Sequence, residues 1–111
     1  MRVYESLIIF SSETEEDQVR ELSERLRKII EEGGGTVRDI DYWGRRSLAY
    51  EIKDRQGVRY RTGTYVCMLL SSEIGPVNEV NRQLSLADSV LRSKTVRIPD
   101  HVPLAQAGKS A

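Results

Sequence analysis

The chain has 111 residues, 17 Lys and Arg against 17 Asp and Glu, 39% apolar residues, one cysteine and one histidine. That length fits one domain that builds a core without cross-links, and the composition is that of a globular protein. The lone Cys67 excludes an internal disulfide, one Cys and one His fall short of a four-ligand zinc site, and no apolar run reaches membrane-spanning length.

Zero net charge conceals segregation. Residues 1–41 carry six basic and eleven acidic side chains, a balance of −5, and residues 42–111 carry eleven basic and six acidic, a balance of +5. A polyanion responds to the field within about 8–10 Å, so the second half holds the candidate anion-binding surface. Met1-Arg2 leads straight into a strand-like run without a basic-then-apolar leader, and a cytoplasmic protein is expected.

Val3 to Phe10 reads as a first strand. Tyr4, Ile8 and Phe10 share one face and Val3, Leu7 and Ile9 the other, the pattern of a central strand. Ser11 to Glu32 reads as a helix, with Ser12 and Glu15, or Thr14 and Asp17, as a capping box. Val19, Leu22, Leu26, Ile29 and Ile30 form its apolar stripe, and Glu16–Arg20, Glu21–Arg25 and Glu24–Lys28 are expected ion pairs. Gly33-Gly34-Gly35 ends it through a left-handed cap.

Thr36 to Ile52 is extended, irregular where Val37 and Ile40 lose parity and bent at Gly44. Lys53 to Gly57 has turn composition, and Val58 to Leu70 is the returning strand. Cys67, among apolar neighbours, is expected to be a buried packing residue. Ser71 to Leu84 reads as a second helix, capped by Ser72, with Val77, Val80 and Leu84 facing inward. Asp88 is expected to cap the following turn locally, and Val90 to Ile98 is the last strand. Residues 1–98 form the expected domain and 99–111 a tail.

The order strand, helix, strand, strand, helix, strand predicts an α+β, ferredoxin-like split β-α-β (βαββαβ) fold. Right-handed crossovers lay both helices on one face of a four-stranded antiparallel sheet. Leu7, Ile9, Cys67 and Leu69 then point to the uncovered face, where an apolar patch marks a partner site.

No acid–base pair, triad or metal cluster has recognisable spacing, so no enzyme, cofactor or metal is expected. The basic residues carry the stronger signal. Tyr42-Trp43-Gly44-Arg45-Arg46-Ser47-Leu48-Ala49-Tyr50 sets two guanidinium groups after a bend, where both are expected to aim away from the sheet at phosphate. Trp43 is expected to pack inward. Lys53, Arg55, Arg59 and Arg61 share the same hairpin as additional basic contacts, while Arg82, Arg92, Lys94 and Arg97 lie towards the other end. Arginine-rich clustering favours RNA backbone contact over solvated decoration. The alternative is a small-molecule-binding regulatory domain of the same topology.

The chain resembles the bacterial ribosomal small-subunit protein six family. The residues carrying the likeness are Arg2-Val3-Tyr4-Glu5, Gly33-Gly34, Trp43-Gly44-Arg45-Arg46-Ser47-Leu48-Ala49-Tyr50, and Arg82-Gln83-Leu84 with Asp88-Ser89-Val90-Leu91-Arg92. The likeness spans residues 2–97. It implies a structural protein that binds the central domain of small-subunit ribosomal RNA together with small-subunit ribosomal protein eighteen, with no membrane and no small-molecule substrate. It also implies that Arg2, Arg45, Arg46, Arg82 and Arg92, with Lys94 beside the last, face RNA or the partner. Two features depart from the family: Glu51 stands where proline is frequent, and the basic stretch Arg55 to Arg61 matches no family hallmark.

Overall fold

The computed structural model describes residues 1–99; the expected tail lies, beyond Pro99, outside the described residues. The elements are β1 (Arg2–Ser11), α1 (Glu16–Glu32), β2 (Thr36–Lys53), β3 (Arg59–Ser72), α2 (Ile74–Leu86) and β4 (Val90–Ile98). The strands form one antiparallel sheet in the order β2-β3-β1-β4, the expected split β-α-β topology.

Strand alternation divides the side chains. Tyr4, Ile8 and Phe10 of β1 and Val66, Met68 and Leu70 of β3 meet Val19, Leu22, Leu26 and Ile30 of α1 and Val77, Val80 and Leu84 of α2 in one core. Both helices therefore cover one face. Ile8, Phe10, Leu26 and Ile30 are fully buried there, each stabilising the fold by about 1.5–3 kcal/mol through loss of apolar surface to water. Thr95 Oγ1 lies 2.8 Å from Asn81 Oδ1 and 3.0 Å from Ser6 Oγ, tying α2 to β4 and β1 on that side.

Several local expectations are corrected. β1 runs on to Ser11, paired with Gly63, and a turn from Ser11 to Thr14 separates it from α1. The N-cap is consequently Glu15, whose amide donates to Gln18 Oε1 at 3.4 Å, and neither Ser12 nor Thr14 caps the helix. Glu16 pairs with Arg20 as expected, but Glu24 meets Arg27 rather than Lys28. The left-handed residue after α1 is Gly34, with φ +88°, one position beyond the C-cap Gly33. Ser72 completes β3 opposite Arg2, so α2 begins at Ile74 behind Glu73. Asp88 receives the Arg55 guanidinium across the molecule at 3.4 Å.

Candidate functional site

β2 is the least regular strand, and its three register breaks shape the uncovered face. Arg38 is the extra residue of the first and Trp43 of the second. These are the breaks read from the parity of Val37 and Ile40 and from Gly44, which takes φ +81°. The third was not foreseen. Ser47 pairs with Thr62 and Ile52 with Tyr60, so four residues, Leu48 to Glu51, stand opposite Arg61 alone. An apolar-looking Leu-Ala-Tyr reads as ordinary strand; only the pairing reveals that it bulges.

Residues opposite one another on antiparallel strands share a face. Asp39, Leu69, Glu5 and Val96 therefore form one row across the helix-free face, with Leu69 and Glu5 buried in it. Asp41, Cys67, Leu7 and Lys94 form the next, and Gly44, Tyr65, Ile9 and Arg92 the one after. Arg46, opposite Gly63, continues on the same side. Charge on this face is divided diagonally: Glu5 and Asp39 share the first row, Asp41 on β2 and Lys94 on β4 stand at the two edges of the second, and Arg92 and Arg46 lie in the rows beyond.

The acidic residues of this face perturb Cys67. Burial pushes its thiol up to about 12, with the charges of Glu5, Asp41 and Asp39 adding to the effect. Only 4% exposed, Cys67 is a packing residue, as expected. Val3, Leu69 and Ile98 form a small second cluster on this face.

The same face holds a groove of about 310 Å³ lined by Leu7, Ile9, Tyr65, Leu48, Ala49, Tyr50, Ile52, Arg92, Ser93 and Lys94. The floor comes from β1 and β3, one wall from the bulge in β2 and the other from β4. Tyr50 stands 67% exposed on the rim. Trp43 does not enter the helix-side core. Its ring stacks on Tyr65, centroids 6.0 Å apart and planes 8° from parallel, its Nε1 donates to Asp41 Oδ2 at 2.9 Å, and the Arg46 guanidinium carbon lies 5.2 Å over it. A tryptophan held on one side of an open sheet anchors the arginine above it.

The basic residues singled out in the sequence are only partly brought together. Arg46, Arg92 and Lys94 share the groove's face, Arg92 and Lys94 lining it from β4 and Arg46 standing on the opposite edge strand; among the described residues no carboxylate is ion-paired with them. Arg45, by alternation, goes to the helix side and donates to the Ser12 carbonyl at 3.0 Å, so the two adjacent forks do not aim together. Arg2 shares the helix-side parity of Tyr4 at the far end of β1. Arg82 is held on α2 by Glu79, with nitrogen–oxygen distances of 2.7 and 2.8 Å. That pairing pushes the Glu79 carboxyl down to about 2 and raises the Arg82 guanidinium. On the hairpin Arg55 meets Asp88, while Arg59 and Arg61 both meet Glu51; Lys53 flanks the turn. Arg20, 4.3 Å over the Tyr42 ring on the helix side, was not singled out, because its spacing from Glu16 reads as a helix ion pair. Among the described residues no cluster of His, Cys, Asp and Glu could hold a metal, and no helix is long and apolar enough to cross a membrane.

Comparison with known proteins agrees with this architecture. Residues 3–97 match the family model described as ribosomal protein S6. Small ribosomal subunit protein bS6 of Mycolicibacterium paratuberculosis and that of Streptomyces coelicolor are each 40% identical over 101 residues, covering 91% of this chain and 100% of the relative. A crystal structure of 30S ribosomal protein S6 from Thermotoga maritima superposes with a TM-score of 0.77 at 28% identity, over 97% of this chain and 94% of that one. The chain belongs to the ribosomal protein S6 family, RNA-binding structural proteins of the small ribosomal subunit rather than enzymes.

Proposed function

We propose that the uncovered sheet face is the assembly surface of the protein, binding the central domain of small-subunit ribosomal RNA together with small-subunit ribosomal protein eighteen. Residues 1–98 act as the binding domain of a cytoplasmic, ribosome-associated protein. The partner lays apolar side chains in the groove walled by Leu48 and Tyr50 and floored by Leu7 and Ile9, and Arg46, Arg92 and Lys94 on that face meet phosphate. The observation that carries the reading is the sheet register, which sets all three cations on the face the helices leave free, Arg92 and Lys94 in the groove wall and Arg46 on the opposite edge strand. Arg2, Arg45 and Arg82 are left as peripheral contacts, since they lie off that face.

Phosphate contact supplies affinity and apolar burial supplies partner choice, so each ligand strengthens the other. The test is a filter-binding titration with a central-domain RNA fragment, with and without the partner. Affinity is expected to fall steeply, about 10-fold or more between about 50 and 200 mM salt, and to rise when the partner is added. Absence of RNA affinity at low salt with the partner present would overturn the proposal. A ligand-induced rise in melting temperature without RNA affinity would favour the small-molecule regulatory domain instead.

A further inference from the structure

The bulge that walls the groove has its own fastening. Leu48 to Glu51 stand opposite a single β3 residue, so the ladder that fixes ordinary strand residues is interrupted there. At the end of the bulge Glu51 spreads its carboxylate between two guanidinium groups: Oε1 lies 3.2 Å from Arg59 Nη1 and Oε2 lies 3.4 Å from Arg61 Nε. Arg59 and Arg61 stand on the same side of β3 by alternation. Without the carboxylate their like charges would repel, and the end of the bulge would lose the two ion pairs that tie it to that strand. We infer that Glu51 is a positioning residue: clamped by Arg59 and Arg61, it fixes the bulge so that Leu48 and Tyr50 stand as a wall of the partner groove.

This assignment rests on the assembly role proposed for that face. It also gives Arg59 and Arg61 a different task from Arg46, Arg92 and Lys94. The clamp arginines spend their charge on Glu51, and the other three keep theirs for the polyanion.

The opposing roles predict effects of opposite sign. If Arg59 and Arg61 were phosphate contacts masked by a counter-ion, Glu51→Gln would release them and tighten RNA binding. If they are a clamp, the same change loosens the wall and weakens partner binding. The experiment uses the full chain as wild type, Glu51→Gln, and Arg59→Ala/Arg61→Ala. It reads amide hydrogen exchange over residues 48–52 and 66–70, affinity for ribosomal protein eighteen, and the salt slope of RNA binding.

Both variants are expected to speed exchange at 48–52 by about 2–5-fold, the scale of an exposed ion-pair network, and to leave exchange at 66–70 unchanged. Partner affinity is expected to fall by a similar factor, with the RNA salt slope retained. Unchanged exchange at 48–52 would overturn the clamp. So would tighter RNA binding by Glu51→Gln with a slope about two smaller in the double variant. Should wild type bind neither RNA nor partner, the assembly role would fail while the exchange measurement still decided the clamp.

Discussion

Arg45 and Arg46 are neighbours in the chain that part to opposite faces of the sheet. The Arg45 guanidinium donates to the Ser12 carbonyl at 3.0 Å beside the helices, and that of Arg46 lies 5.2 Å over the Trp43 ring on the bare face. Period-two alternation forces this separation once β2 pairs through both residues with Thr64 and Gly63. Arg46→Ala is therefore expected to lower the salt slope of RNA binding by about one. Arg45→Ala is expected to lower it by less than about half as much, since its fork is already engaged. Filter binding across a salt series separates the two; equal losses would show that the face does not decide which arginine meets phosphate.

Gly44 and Gly63 are both required, for different reasons. At Gly44 a Cβ would meet nothing within 4 Å, but φ is +81°, so Gly44→Ala costs about 1 kcal/mol from backbone strain alone. At Gly63 a Cβ would come within 2.7 Å of Ile9 Cγ2 and 3.1 Å of the Phe10 carbonyl oxygen. Gly63→Ala is expected to cost more, about 1–3 kcal/mol, by forcing β1 and β3 apart. Urea denaturation midpoints measure both, with Gly63→Ala the less stable of the pair.

The Cys67 thiol has its pKa raised from 9.0 to about 12 by burial and by the nearby carboxylates. The thiolate is disfavoured in the folded state, so the contribution to stability is complete below pH 9 and is lost as pH rises towards 12. Native protein is expected to react with a thiol reagent at pH 8 far more slowly than urea-unfolded protein does. Comparable rates would mean that this end of the sheet is open to solvent.

For Glu79 the sign is reversed. Hydrogen bonds from Arg82 and Gln83 hold its carboxyl near 2, below the ordinary 4.5. The pairing contributes above pH 4.5 and is lost as pH falls towards 2. A carbon-detected NMR titration is expected to give a midpoint near 2 for Glu79 in the wild type and a higher one in Arg82→Ala, still below the ordinary value because the Gln83 hydrogen bond remains. The pair lies at the surface of α2 within reach of solvent, so the effect on global stability is expected to be small.

How much of this was legible follows from the range of the forces involved. The period of Val19, Leu22, Leu26 and Ile30 and the alternation of Tyr4, Ile8 and Phe10 express local backbone geometry, and they were sufficient for the element order, the fold class and the composition of the core. Gly44 announced a bend because the requirement for positive φ is written in the residue itself. The helix starts were misplaced because Ser12 and Ser72 are good caps in isolation, yet pairing at Ser11 with Gly63 and at Ser72 with Arg2 carried the strands past or up to them.

By itself the sequence determined the scaffold and the presence of an arginine-rich half, since both depend on residue type and short-range periodicity. Only the tertiary structure decided which cations stand together. Strand register is set by pairings up to 95 residues apart, as between Val3 and Ile98, and a shift of one residue reverses every side chain on a strand. That is why Arg46 joins Arg92 and Lys94 across the sheet while Arg45, one peptide bond away, does not.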